Sequence, residues 1–203
     1  MGEELKDTYL TITNPAEGEY TEKRSKFLSF AFHVETIDEV KALVDEYKKK
    51  FYDARHACYA YMLGSKRDVF RAVDDGEPSG TAGKPILGQI NSNELTDILI
   101  IVVRYFGGIK LGTSGLIEAY RAAAAEVIAN AEIEERTTNT VVRVTYDYAL
   151  MNQVMRVVKE EEPKIRLQDF QMECVLELEI RNSKLEGMLN KLRLIREAKT
   201  EVL

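Results

Sequence analysis

The sequence predicts an α+β protein with two domains, the first in residues 1–135 and the second in residues 136–203. Three observations support this. The 203 residues exceed the ~150 residues of an average domain. The net charge of −6 falls entirely in residues 1–136, whereas the remainder is balanced. Near residue 136, helical spacing of apolar residues also gives way to the alternation that is typical of strands.

The first part mixes strand and helix patterns. Residues 26–34 are predicted to form a strand, and residues 36–51 a helix that begins with a Thr36/Glu39 capping box, in which side chains satisfy free backbone N–H groups. The apolar face of this helix is predicted to consist of Ile37, Val40, Val44, Tyr47 and Phe51. Lysines 48–50 suit the negative end of the helix dipole, which favours a solvated helix end over a nucleic-acid patch.

The next elements are predicted from apolar runs and from the turn-forming residues that separate them. Strands are predicted at residues 56–63, 69–73 and 98–103, and helices from Pro85 and from Leu116. Proline fits the first turn of a helix. The uninterrupted aliphatic run at residues 98–103 is typical of a central strand buried on both faces. The last helix is predicted to bury Leu116, Tyr120, Ala124, Val127 and Ala131.

The second part follows the order β-α-β-β-α-β, which is the split βαβ, ferredoxin-like arrangement. The strands are predicted at residues 138–148, 165–171, 173–181 and 198–203, and the helices at residues 149–162 and from Ser183. Val142, Val144, Tyr146 and Tyr148 are predicted to face inward in the first strand, and Glu186 lies in capping-box position after Ser183.

Composition bears on the compartment and on the partners. Cys58 and Cys174 are far apart in strand-like segments, which predicts buried reduced thiols rather than a disulfide. The longest apolar run is too short to span a bilayer, and the N-terminus lacks the apolar core of a signal peptide. We therefore expect a soluble, cytoplasmic protein with no membrane partner. The excess of acid argues against binding nucleic acid by bulk charge, but it leaves a confined basic cleft open.

The glycine-rich loop RYFGGIKLGTSG at residues 104–115 is the strongest candidate binding site. A buried strand leads into this loop, and a helix follows it whose N–H groups and dipole favour an anion. The predicted anion- or nucleic-acid-binding residues are Arg104, Tyr105, Phe106, Gly107, Gly108, Lys110, Gly112, Thr113 and Ser114, with Lys84, Lys26 and Arg55 nearby. Thr113 or Ser114 is expected to cap the helix. The alternative is a connector shaped by packing, with Tyr105 and Phe106 anchored in the core.

A second candidate is the acidic segment that begins at residue 74. Asp74, Asp75 and Glu77 have the chemistry to bind a hard cation, to meet a partner, or to act as acid and base. Because turns require the same residue types, a turn is the favoured interpretation. His33 and His56 are the only histidines, and no paired Cys/His spacing occurs, so no metal site is predicted.

Three common nucleotide-binding and catalytic motifs do not occur in the sequence. Gly107 and Gly112 have the separation of P-loop glycines, but threonine follows Gly112 where a P-loop requires lysine. Neither a GxGxxG fingerprint nor a GxSxG nucleophile elbow occurs, and Cys58 lies in a strand pattern. No cofactor is predicted, and the residues favour a binding module over an enzyme.

Four blocks of the sequence resemble the IMPACT/YigZ family. They are KRSKFLSFAFHV, ARHACYAYML, DDGEPSGTAGKPIL and VVRYFGGIKLGTSGLIEAY, which occur in this order. Besides the loop residues 104–108, Lys110 and Gly112, the family motif falls on Asp74, Asp75, Gly76, Glu77, Gly80, Thr81, Lys84 and Pro85. At Thr113 and Ser114 the chain departs from the smaller, glycine-rich residues that we expect of the family.

The resemblance implies a fold for each domain. Residues 1–135 are expected to resemble domain 2 of ribosomal protein S5, and residues 136–203 the last domain of elongation factor G, which is ferredoxin-like. Both of these proteins contact RNA or the ribosome. Eukaryotic members of the family bind a ribosome-associated activator and so restrain a kinase that acts on a translation-initiation factor. The resemblance supplies no catalytic role, and fold analogy alone is only an association.

Three functions follow. The leading one is a translation-associated protein that contacts RNA or the ribosome through Arg104, Lys110 and Lys84, with a base stacked on Tyr105 or Phe106. The second is a regulator of translational stress control that binds a protein partner without nucleic acid, which the acidic balance favours. The third is an enzyme acting on a phosphate ester or nucleotide through the acids at residues 74–77. The sequence predicts no oligomeric state.

Overall fold

The computed structural model describes residues 7–171 and 173–203, and the chain divides near residue 136 into two compact units, Tyr9–Arg136 and Thr137–Leu203, with residues 7 and 8 joining the second. The predicted α+β class is confirmed. The strands up to this division are β1 (Thr8–Ile12), β2 (Ala16–Glu22), β3 (Ser25–His33), β4 (His56–Leu63), β5 (Val69–Val73), β6 (Ile98–Tyr105) and β7 (Ile133–Thr137). The helices are α1 (Ile37–Lys50), α2 (Gly83–Ser92) and α3 (Gly112–Asn130).

A five-stranded antiparallel sheet in the order β2-β3-β6-β4-β5 organises the first unit, while β1 pairs with β7. Along β6, Ile98, Ile100 and Val102 pack in the core that contains α2 and α3. Leu99, Ile101 and Val103 pack in a second core, which contains α1. The predicted central strand with two buried faces is therefore confirmed. Arg104 and Tyr105 lie at its C-terminal end, directly before the loop that leads to α3.

The ends of the predicted elements are less accurate than their positions. The Thr36/Glu39 capping box of α1 is present, with Val40, Val44 and Tyr47 buried as predicted. Ile37, however, is 44% exposed, because it lies in the first turn at the edge of the core. Helix α3 begins at Gly112 rather than at residue 116. The short strands β1, β2 and β7 were not predicted.

The second unit shows the predicted β-α-β-β-α-β order. Its elements are β8 (Asn139–Asp147), a 3₁₀ turn (Tyr148–Leu150), α4 (Met151–Glu161), β9 (Lys164–Phe170), β10 (Glu173–Arg181), α5 (Asn182–Arg193) and β11 (Lys199–Val202). The sheet has the order β11-β8-β10-β9, and its neighbours are antiparallel. Val142, Val144 and Tyr146 are buried with residues of both helices, as predicted.

Two details of the second unit differ from the sequence prediction. Tyr148 is 66% exposed, because the chain leaves β8 for the 3₁₀ turn before reaching it. The capping box at Ser183 and Glu186 is wrong: α5 begins at Asn182, and the Ser183 backbone N–H instead donates to Asp7 at 2.7 Å. Among the described residues, no helix is long and apolar enough to cross a membrane.

Candidate functional site

A buried ion pair lies where β6 ends. The Arg104 Nη1 atom donates to Glu77 Oε1 at 2.6 Å, and both side chains are almost fully buried. The Arg104 guanidinium also lies 5.6 Å from the ring centroid of Phe27 and 5.7 Å from that of Phe106. Arg104 is therefore not the free surface cation that the sequence suggested, because Glu77 from the acidic segment neutralises it.

Two further side chains extend this pair into the core. The Tyr120 hydroxyl donates to Glu77 Oε1 at 2.9 Å, and the Cys58 Sγ atom lies 3.3 Å from the same hydroxyl. Burial raises the pKa of both Tyr120 and Cys58 far above their ordinary values, and the neighbouring Glu77 raises them further. Both groups therefore stay protonated. Cys58 and Cys174 are free and buried, as predicted.

Asp74 caps the start of helix α2, which its neighbours in the sequence do not indicate. Its Oδ1 atom accepts the N–H groups of Ala82 and Gly83, at 3.0 and 2.9 Å, and its Oδ2 atom accepts that of Gly80 at 2.8 Å. The N-cap residue of α2, Ala82, has no side chain able to cap. Asp74 therefore supplies the acceptors that the free N–H groups of a helix start require.

We expect Asp74→Asn to lower the free energy of unfolding at pH 7 by about 1–3 kcal/mol, since an amide offers one acceptor where the carboxylate offers two. Burial alone would raise the pKa of Asp74, but the three backbone N–H groups and Lys84 lower it below its ordinary value. A lowered pKa means that the stabilisation is present above the unfolded pKa and disappears as the pH falls through the folded pKa. Urea unfolding at pH 7 and at pH 2.5 measures this.

The difference between wild type and Asp74→Asn should therefore shrink at the lower pH. Asp38→Asn is the control, because Asp38 is an exposed first-turn residue of α1. A difference between wild type and Asp74→Asn that is independent of pH would contradict the assigned role.

The other acids of this segment also have internal partners. Asp75 accepts Lys48 Nζ at 2.5 Å and the Ala57 N–H at 2.8 Å, while its carbonyl oxygen lies 2.9 Å from His56 Nδ1. The three carboxylates thus bind different groups instead of converging on one point. Within residues 7–171 and 173–203, no group of three or more His, Cys, Asp or Glu side chains is arranged to hold a metal ion.

The glycine loop owes its shape to two physical requirements. A Cβ atom on Gly107 would lie 2.0 Å from the carbonyl carbon of Arg24, so no side chain fits there. Gly108 and Gly112 have φ values of +87° and +73°, which glycine adopts at little cost. Thr113 and Ser114 do not cap α3, because the helix already begins at Gly112 and its N-cap, Leu111, makes no side-chain capping hydrogen bond.

Around this loop lies a cleft of about 370 Å³, which we call the loop cleft. It brings together residues from three separate segments, and two exposed cations, Arg55 and Lys110, lie on it. Phe106 is 51% exposed, which excludes its role as a core anchor. The lining residues are Arg55, His56, Glu77, Pro78, Arg104, Phe106, Lys110, Leu111, Gly112, Thr113 and Leu116.

Eight predicted site residues do not line the loop cleft: Tyr105, Gly107, Gly108, Ser114, Lys84, Lys26, Asp74 and Asp75. Lys84 lines a separate shallow pocket with Gly80 and Arg121. Lys26 pairs with Glu19 at 2.9 Å, and the Tyr105 hydroxyl donates to Asp53 at 2.8 Å. Conversely, the sequence analysis gave no role at this site to His56, which starts β4, or to Tyr120, which it placed on the buried face of the last helix. The available signal for His56 was its position next to the cation Arg55, whereas Tyr120 carries no signal beyond its apolar helical face.

Comparison with known proteins assigns the class of the first unit. The Impact N-terminal domain family matches residues 23–128, which include both the acidic segment and the glycine loop. The chain is 34% identical over 155 residues to "IMPACT family member YvyE" of Bacillus subtilis, covering 76% of this chain and 71% of that protein. It is 31% identical over 172 residues to "IMPACT family member YigZ" of Escherichia coli, covering 84% of each. The chain belongs to the IMPACT/YigZ family.

Two further matches extend this comparison. A solved structure, described as a crystal structure of a hypothetical protein, superposes with a TM-score of 0.71 over 97% of both chains at 28% identity. The "Protein IMPACT homolog" of Dictyostelium discoideum is 37% identical over 96 residues, which cover 45% of this chain and 27% of that protein. The family therefore includes eukaryotic members.

Proposed function

We propose that this protein is a translation-associated RNA-binding protein that holds RNA phosphate in the loop cleft. The observation that carries the proposal is the meeting of Arg55, Lys110 and the start of α3 around the exposed ring of Phe106. The cations and the positive end of the helix dipole attract an anion. An exposed aromatic ring offers a surface on which a base stacks, a contact worth ~1–3 kcal/mol.

The confined position of these charges reconciles the proposal with an acidic protein. Among the described residues, neither Arg55 nor Lys110 lies within ion-pair distance of a carboxylate, whereas Arg104 is paired with Glu77. Arg55 and Lys110 are therefore the unpaired cations that we propose to attract and contact phosphate. Arg104 adds no net charge, but it lines the same cleft, lies close to the ring of Phe106 and offers the phosphate a further hydrogen-bond donor.

The fold assignments belong to the same proposal. We infer that the first unit resembles domain 2 of ribosomal protein S5, and that the second is ferredoxin-like and resembles the last domain of elongation factor G. The sheet order β11-β8-β10-β9 supports the second assignment. We also propose that the domain boundary lies near residue 136 and that the protein is cytoplasmic, where translation occurs.

The first test reverses the two exposed cations. We expect the double variant Arg55→Glu/Lys110→Glu to lose most of its affinity for a fluorescein-labelled single-stranded RNA in an anisotropy titration. Since each phosphate contact contributes about −0.7 to the slope of log K against log salt for single strands, we expect the slope to become shallower by about 1.4. Arg104→Glu is unsuitable here, because it would place a second carboxylate beside the buried Glu77.

The matched control is Lys41→Glu/Lys159→Glu, which changes the net charge equally at exposed positions on α1 and α4. We expect this control to retain wild-type affinity. Equal loss in both double variants would mean that bulk charge alone governs binding. Unchanged binding by Arg55→Glu/Lys110→Glu would reject the loop cleft as the RNA site.

A second candidate function is the binding of a protein partner without nucleic acid. The acid excess of residues 1–136 favours it, and so do Val69 and Phe70, two exposed apolar residues on the edge strand β5. A pull-down from nuclease-treated lysate separates the two candidates, because only a partner held by protein contacts survives the treatment. The third function, an enzyme that acts on a phosphate ester, would need a free acid in the segment 74–77. Asp74, Asp75 and Glu77 all bind groups of the protein itself, so that segment offers none.

A further inference from the structure

We propose that the loop cleft binds a phosphomonoester, either the terminal phosphate of an RNA strand or a free nucleoside monophosphate, in preference to an internal phosphodiester. This inference rests on the proposed function, because it names the chemical group that the same site takes. Three observations carry it: the charge that lines the cleft, an unpaired buried donor, and the size of the cleft.

The charge of the cleft matches a dianion. Arg55 and Lys110 contribute two positive charges, while Arg104 and Glu77 neutralise each other at 2.6 Å. The start of α3, a helix of 19 residues, adds about half a positive charge through its dipole. A phosphomonoester carries about −1.5 to −2 at pH 7, whereas an internal diester carries a single negative charge. The monoester is therefore the better electrostatic match.

Arg104 provides an independent sign that the cleft binds a group with hydrogen-bond acceptors. The residue is only 7% exposed and lines the cleft, yet its Nε atom is buried and has no hydrogen-bond partner among the residues that the structure describes. A buried donor without an acceptor destabilises the folded state, so such atoms in folded proteins call for an explanation. A small movement of the guanidinium on a bound anion would give it one. A monoester has three terminal oxygens to share among Arg104, Arg55 and Lys110, whereas a diester has two.

The size of the cleft matches a single nucleotide. A volume of about 370 Å³ lies near the lower limit of small-molecule sites, which span ~300–1,000 Å³. Such a space suits one nucleotide, with its base against the exposed ring of Phe106 and its phosphate near Gly112.

The experiment compares three RNA decamers of the same sequence in anisotropy titrations: one with a 5′-phosphate, one with a 3′-phosphate and one with hydroxyl groups at both ends. We expect one of the phosphorylated decamers to bind at least tenfold more tightly than the dihydroxyl form. AMP should compete with that decamer, and adenosine should not. In Arg55→Gln/Lys110→Gln the preference for the phosphorylated end should disappear, while Lys41→Gln should retain it.

The outcomes separate this inference from the proposed function. Equal binding of all three decamers would overturn the preference for a monoester and leave RNA binding intact. Binding of AMP without binding of any decamer would support a monoester site whose ligand is the free nucleotide, and it would reject the RNA function. Binding of neither AMP nor RNA would overturn both. Inorganic phosphate as a competitor shows how much the nucleoside contributes.

Discussion

Replacing Glu77 with alanine is expected to lower the free energy of unfolding by about 3–5 kcal/mol, the range observed when one partner of a buried ion pair is removed. In the variant, Arg104 would keep its charge inside the protein with no carboxylate beside it, and the Tyr120 hydroxyl would lose its acceptor. Chemical denaturation monitored by circular dichroism measures the change, and binding to the loop cleft should weaken with it.

Two further variants identify the cause. Glu118→Ala removes one partner of an exposed pair with Arg121 on α3, and we expect it to cost less than about 1 kcal/mol. Glu77→Leu/Arg104→Met replaces both buried charges with apolar side chains of similar volume and should recover most of the lost stability. If Glu77→Ala were as stable as Glu118→Ala, the pair would have no structural importance.

Gly107→Ala is the second substitution with a large expected effect. The added Cβ atom would lie 2.0 Å from the Arg24 carbonyl carbon and 2.4 Å from the Ser25 nitrogen. These are backbone atoms of the turn between β2 and β3 and of the first residue of β3, so the loop or this backbone must move. Overpacking of this kind costs about 1–3 kcal/mol and sometimes more, and we expect about 3 kcal/mol here. Thermal unfolding measures the loss.

Two other glycines provide graded controls. Gly108→Ala meets no atom within 4 Å but has a φ of +87°, so we expect a cost of only about 1–2 kcal/mol from the backbone conformation. Gly88→Ala lies inside α2, also in open space and without a positive φ, and it should stabilise the protein by up to about 1 kcal/mol. If Gly107→Ala cost no more than Gly108→Ala, the close approach of the Arg24 and Ser25 backbone would not be what requires glycine at position 107.

Local patterns predicted much of the fold, because they reflect interactions between neighbours in the sequence. The aliphatic run of β6 reports burial on both faces, and the capping box of α1 joins residues only three positions apart. Strand β2 escaped prediction because it is an edge strand, with polar side chains on much of its length. Its identity as a strand depends on pairing with β3.

The site was predicted in part for the same reason. The loop that bears Phe106, Lys110 and Gly112 is a contiguous segment with an evident chemistry. The partner of Arg104 is not contiguous: Glu77 lies 27 residues earlier and looks like a turn residue. A count of charged residues along the sequence treats both as surface groups, whereas in the folded protein the two charges neutralise each other. Only the three-dimensional structure separates Arg55 and Lys110 from this pair.

The carboxylate of Asp74 also has a consequence for the order of folding. Because α2 has no capping side chain of its own, its first turn depends on an acceptor that lies just beyond β5, eight and nine residues before the N–H groups of Ala82 and Gly83. The end of the β4–β5 hairpin must therefore be in place before α2 gains its stable start. We therefore expect the hairpin to be formed in the transition state for folding and the start of α2 to form later, although a helix is usually the faster of the two elements.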